Sequence, residues 1–131
     1  MNTEKTADLA AELKTHGGLN CSQAVTVALK EESGIDEEVL KQVSAGFCAG
    51  MGNTKATCGA LIGAVMTAGV KTKGKGTLRL AKEISERFES LSGALICKDL
   101  KTLTDGKPLC PCDECVRNAV RAYCAVMNRH T

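Results

Sequence analysis

Apolar residues recur along this chain at the i, i+3, i+4, i+7 spacing of one helix face, and no segment alternates with period two for long enough to make a strand. That pattern restricts the fold to helices packed on helices. Cys21, Ala24, Val25, Ala28 and Leu29 keep the register most clearly, and Cys58, Leu61, Ile62, Val65 and Met66 repeat it. Leu9, Ala10 and Leu13 mark a helix over residues 3 to 16 that stops at Gly17 and Gly18. Asn20, with Gln23 three residues on, predicts a capped start for the second helix at Cys21. Asp36 caps a short third helix running to about Ser44, with Ile35 and Leu40 placed as a hydrophobic staple. Thr57 is expected to cap the fourth helix, which ends near Gly69. A fifth runs from about Thr77 on the stripe Ala81, Ile84, Phe88, Leu91 and breaks near Gly93. The last carries Cys112, Cys115, Val116, Ala119, Val120, Tyr123, Cys124 and Met127. The fold class expected is all-α, a compact bundle of five to six helices. Residues 45 to 53 (AGFCAGMGN) read as a tight glycine-rich loop, residues 71 to 76 as a polar one, and Asp105 with Gly106 as a turn.

At 131 residues, without a Pro/Gly/Ser linker, the chain is expected to form a single domain over 1–131 that needs no disulfide staples. Aromatics are nearly absent, with two Phe, one Tyr and no Trp, so its core must come from Ala, Val, Leu, Ile, Met and Cys. A formal charge of +2 and so few stacking rings argue against nucleic acid as a partner. The opening MNTEKTADLAAELKTH lacks the apolar core of a secretory signal, and no window approaches a membrane span, so the expectation is a cytosolic protein without membrane insertion.

In a reducing compartment, eight cysteines point to metal ligation or transient redox chemistry more than to a permanent disulfide scaffold. Cys21, Cys58 and Cys112 each fall in or beside the first turn of an expected helix, at the start of its apolar stripe. Unpaired N–H groups and the helix dipole favour a thiolate there, which makes the sulfur a better ligand and a readier leaving group. These sulfurs are expected to point inward and, if the helix starts gather at one end of the bundle, to converge. Cys110, Cys112 and Cys115 form a CxC and a CxxC, with Pro111 suited to the first helical position. One CxxC does not make a zinc ribbon, so a site would have to recruit Cys21, Cys58 or Cys97 from elsewhere. Cys124, mid-helix on an apolar face, reads as core, and Cys48 in the glycine-rich loop is open to either role. His16 and His130 read as a helix-end cation and a tail residue rather than as ligands. There is no CxxCH for covalent haem and no GxGxxG or Walker motif for a nucleotide.

NCSQAV around Cys21, GMGNTKATCGALIGAV around Cys58, the ALICKDL segment at Cys97 and CDECVRNAV together resemble the redox-active protein family named for the pattern C_GCAxxG_C_C. The CGAxxG box is Cys58 to Gly63, and the likeness runs from about residue 5 to 125. The resemblance implies an all-helical, dimeric domain with a redox role, and a related domain in split-Soret cytochromes that has an iron–sulfur site beside its haems. Carried over by position, Cys21, Cys58 and Cys97 match, and the fourth cysteine is Cys112 or, one turn on, Cys115. With Cys112 as the fourth, Cys48, Cys110, Cys115 and Cys124 are additional to the pattern.

The expected function is redox chemistry by Cys21, Cys58, Cys97 and Cys112, with Cys115 in reserve. Four thiolates could ligate an iron–sulfur cluster, or form two dithiol pairs in which Cys97 resolves, with a separate protein as redox partner. The alternatives are a structural zinc or metal-handling module without redox activity, and a helical interaction domain with incidental cysteines. No specific enzymatic reaction follows from the residues.

Overall fold

The stripe from Cys115 to Met127 is buried on an 18-residue helix, Cys112–Arg129 (α8), which packs against helices Thr3–Thr15 (α1), Cys21–Ala28 (α2), Gly59–Lys71 (α5) and Thr77–Ser92 (α6). The structure is a computed structural model and describes residues 2–129; His130 lies outside them. Shorter helices complete the eight among the described residues: Lys30–Ser33 (α3), Glu37–Ser44 (α4) and Cys97–Lys101 (α7). The only strands among them are Leu103–Thr104 (β1) and Lys107–Pro108 (β2), paired antiparallel about Asp105 and Gly106. Both turn residues are left-handed, with φ of 54° and 78°, as a tight hairpin turn requires.

The fold is therefore mostly helical, as expected, but with more helices than the five to six read from the sequence. The extra ones are a single turn long. α3 buries no side chain and so leaves no apolar stripe to detect, and the five residues of α7 are too few to show a period.

Several helices also turn a different face inward than their large apolar residues suggest. The core face of α1 is Ala7, Ala10 and Ala11, while Leu9 is 48% exposed. On α6 it is Leu80, Ile84, Phe88 and Ser92, with Leu91 outside. On α5, Ala60, Leu61, Gly63, Ala64, Thr67 and Ala68 are buried, whereas Ile62, Val65 and Met66 are only half-buried. In a chain with almost no aromatics, contact area comes from close backbone approach. Small side chains permit that approach, and they take the interface.

α2 begins with the capping box expected from Asn20 and Gln23, in which each side chain bonds the other residue's backbone N–H. The same turn clasps α4. The Asn20 side-chain amide donates to the Ala45 carbonyl (3.1 Å), Gln23 donates to the Lys41 carbonyl (3.0 Å), and the buried Ser22 hydroxyl donates to the Ser44 carbonyl (2.7 Å). Asp36 caps α4 by accepting from the Glu38 N–H. These bonds deliver the chain after α4, and with it Cys48, to the start of α2.

Candidate functional site

Four helices open at a cysteine. Cys21, Cys97 and Cys112 are the first residues of α2, α7 and α8, and Cys58 is the residue before the first turn of α5. Cys97 was not legible as a helix start. Thr57, expected as the α5 cap, instead bridges Ile96 across an antiparallel backbone contact. The Cys58 N–H donates to the Leu95 carbonyl (2.8 Å) and the Cys97 N–H to the Ala56 carbonyl (3.0 Å), which locks the two cysteines side by side.

Seven of the eight cysteines line one cavity of about 140 Å³: Cys21, Cys48, Cys58, Cys97, Cys110, Cys112 and Cys115. They come from α2, the α4–α5 loop, the starts of α5 and α7, and the turn into α8. The charged side chains lining it are Lys14 and Lys101. Cys124 is buried on α8 and does not line it, in keeping with a core role. None of the cysteines is in a disulfide. Among the described residues, no three or more His, Cys, Asp or Glu stand ready as a set of metal donors. A larger groove of about 790 Å³ lies between α5 and α6, but it is apolar apart from Arg79, Lys82 and two hydroxyls and contains no cysteine.

The two glycines of the CGAxxG box explain how the walls come so close. A Cβ at Gly59 would stand 2.5 Å from the Phe47 carbonyl oxygen and 3.0 Å from Cys48 Cα, so only glycine lets the Cys48 loop cross the start of α5. A Cβ at Gly63 would meet the Ser22 carbonyl oxygen at 3.0 Å, so glycine there lets α2 lie against α5 and carries Cys21 toward Cys58. On the other wall, the Cys110 N–H donates to the Leu100 carbonyl (3.1 Å), and the buried Asn118 amide donates to Ser92 Oγ (2.9 Å) and approaches Cys110 Sγ (3.9 Å).

The sulfurs differ in acidity. The neighbouring Cys115 thiol, bonding toward Cys58, is the largest influence on it; burial opposes, while the N–H groups of Ala60 and Leu61 and the charge of Lys101 assist. The Cys58 thiol is drawn down to about 7. Cys115 also lowers Cys110, with help from the Ser92 hydroxyl. Cys115 itself is pushed up by those two neighbours and then by burial, so it holds its proton between two readier thiolates. Cys97 is raised by burial, partly offset by Lys101. Burial disfavours the Lys101 charge, yet Cys97 and Cys112 outweigh it and hold the ammonium form.

Cys21 corrects the expectation that every helix-start thiol is activated. Burial, then the charges of Cys48 and Cys58, push it up to about 12 against the single favourable Ala49 N–H. A helix start lowers a thiol pKa only where the sulfur keeps its amide partners and is not crowded by other sulfurs. Cys112 is the exposed member of the CxxC and Cys115 the buried one, although both reach the cavity. Pro111 precedes α8 rather than opening it, and its carbonyl accepts the Cys115 N–H (2.9 Å).

A family model described as Putative redox-active protein (C_GCAxxG_C_C) matches residues 19–126. The chain belongs to this family. Searches of curated proteins and of solved structures gave no match. The C_GCAxxG_C_C match spans α2 through most of α8, and so includes every cavity cysteine. The chain's CGAxxG segment, Cys58 to Gly63, falls inside the match, and its two glycines make the close approaches just described. Cys48 and Cys110 line the same cavity as Cys21, Cys58 and Cys97. The glycine-rich sequence around Cys48 was the one signal that could have pointed to it. Among the described residues, no helix is long and apolar enough to cross a membrane.

Proposed function

We propose that this member of the C_GCAxxG_C_C family is a redox protein whose thiol-lined cavity is the binding site of an iron–sulfur cluster. The observation that carries this reading is the meeting of seven cysteine side chains from five parts of the fold around one cavity. A dithiol enzyme needs two sulfurs, whereas a cluster, like a zinc site, takes four; a surplus of sulfur in walls with few other polar groups suits a thiolate-bound cluster. The donor chemistry fits: Cys21, Cys58, Cys97 and Cys112 or Cys115 are the residues that would hold it.

Bound there, such a cluster would supply electron transfer. The chain's own groups have separate tasks. Cys58 offers a thiolate near neutrality, steadied by the N–H groups of Ala60 and Leu61. Lys101 brings positive charge to anionic sulfur. Cys21 must give up a tightly held proton, which makes ligation proton-coupled and favours it at higher pH. Because no donor set is closed in advance, the thiols must draw in on loading. The reading includes a homodimer, taken from the family resemblance, and an external redox partner protein, which electron transfer requires.

A second reading, thiol–disulfide exchange, is favoured by one specific observation: Cys58, with a thiol at about 7, lies beside Cys115. Cys58 would then attack and Cys115 resolve.

Anaerobic purification followed by iron, zinc and acid-labile sulfide analysis tests the proposal. Iron and sulfide in matching stoichiometry are expected. Zinc alone would replace the reading with a structural site, and metal-free protein with a reversible two-electron thiol titration would replace it with exchange.

A further inference from the structure

Cys21 Sγ and Cys48 Sγ lie 3.5 Å apart. We propose that these two cysteines form a reversible disulfide, made by exchange with a small-molecule disulfide, that withdraws Cys21 from the cavity's thiols. The consequence for the cavity rests on the cluster reading; the bond itself does not.

The contact is built rather than incidental. Cys21 is fixed at the start of α2 by the Asn20–Gln23 capping box. The chain leading to Cys48 is tied to that same turn through the bonds from Asn20 to Ala45 and from Ser22 to Ser44. Directly after Cys48, residues 49 to 52 all have positive φ, from 54° at Ala49 to 86° at Gly52, so the chain turns left-handed there. Non-glycine residues rarely take that conformation, and Ala49 and Met51 both do so here. Such a segment persists only where its surroundings hold it. A disulfide requires an S–S distance of about 2.05 Å, so the sulfurs must close by about 1.5 Å from their 3.5 Å separation. Cys48 is half-buried and in the loop, and Cys21 is buried on the helix, so Cys48 is the thiol an outside molecule meets first.

The exchange balances in two steps. The Cys48 thiolate attacks one sulfur of RSSR, forming Cys48–S–S–R and releasing RS⁻, which takes the Cys48 proton. The Cys21 thiolate then attacks the Cys48 sulfur, breaking the bond to SR and releasing a second RS⁻, which takes the Cys21 proton. Two cysteines lose two electrons, and one RSSR becomes two RSH. Excess thiol reverses both steps. Since Cys48 is additional to the four-cysteine pattern while Cys21 belongs to it, the bond uses a spare sulfur to occupy a patterned one.

Reduced, metal-free protein is equilibrated anaerobically across a series of glutathione–glutathione disulfide buffers, trapped by acid and alkylation, and mapped by peptide mass. A linked peptide joining Cys21 to Cys48, lighter by two hydrogens and lost in Cys48→Ser and Cys48→Ala, is expected to dominate the oxidised protein. Dominant linkage of Cys21 to another cysteine, or no internal linkage, overturns the proposal. The oxidised protein, its thiol-reduced form and Cys48→Ser are then reconstituted with iron and sulfide. Loss of uptake only in oxidised wild type, restored by thiol, is expected, and equal uptake by oxidised and reduced wild type overturns the withdrawal of Cys21. If no form takes up iron, the cluster reading fails, and the disulfide is decided by the mapping alone.

Discussion

Gly63 lies so close to α2 that a Cβ on it would stand 3.0 Å from the Ser22 carbonyl oxygen and 3.3 Å from Val25 Cβ. The neighbours are backbone and a branched side chain in a buried interface, so neither gives way easily. Gly63→Ala is expected to destabilise the metal-free protein by about 1–3 kcal/mol through overpacking, measured by urea unfolding. Gly69 on the same helix is the control. There the nearest atom to an added Cβ is Thr77 Cγ2 at 3.9 Å, so Gly69→Ala should stabilise by up to about 1 kcal/mol from helix propensity and reduced chain entropy. A matching loss at both sites would mean that the α2–α5 approach is not what Gly63 serves.

The acidity of Cys58 gives a pH dependence with a definite sign. Its pKa is lowered from that of an ordinary thiol to about 7, so the thiolate fraction, and with it the alkylation rate, should rise with pH to half its plateau near 7. Cys115 is the largest cause of that shift, so Cys115→Ala should move the midpoint upward. Cys21, pushed up to about 12, should label slowly at neutral pH despite its place at a helix start. Residue-resolved iodoacetamide labelling of metal-free protein measures all three, and equal rates at Cys21 and Cys58 would count against the assignment.

Asn118 joins α6, α8 and the Cys110 segment. Its amide donates to Ser92 Oγ and approaches Cys110 Sγ, and its oxygen accepts from Arg121 Nη1 at 2.9 Å. Truncation to alanine leaves the buried Ser92 hydroxyl without this donor, a cost of about 1–3 kcal/mol. The specific signature is chemical: with an N–H donor to its sulfur removed, Cys110 should label more slowly at neutral pH in Asn118→Ala while Cys21 is unchanged. Uniform acceleration at every cysteine would indicate general loosening instead.

Cys124 separates packing from chemistry. It lies nine residues beyond Cys115 on α8, about 14 Å along the axis. Cys124→Ala should lower stability by about 1 kcal/mol and leave iron and sulfide content at the wild-type level. Cys58→Ala should remove most of both. Elemental analysis of the two variants, purified anaerobically side by side, checks the contrast.

The helical class, the Asn20–Gln23 capping box, the Asp36 cap, the Asp105–Gly106 turn and the buried stripe of α8 were all readable from local pattern. Each depends on residues within about two turns of one another. The inward faces of α1, α5 and α6 were not readable, because alanine and glycine carry little hydrophobic signal yet permit the closest packing. α7 was too short to register, and so Cys97 was not recognised as opening a helix. Cys48 and Cys110 were named in the sequence but not placed in the site, since neither begins an apolar stripe.

The sequence by itself determined, to within about a residue, where the longer helices start and that three of those starts carry a cysteine, because capping and periodicity act over a few residues of chain. The tertiary structure alone decided that the sulfurs of α2, the α4–α5 loop, α5, α7 and α8 share one cavity, and that Cys58 is acidified while Cys21 is not. Acidity in a cluster depends on burial and on which neighbouring sulfurs and amides face each thiol, and the pair that matters most, Cys58 and Cys115, is 57 residues apart in the chain.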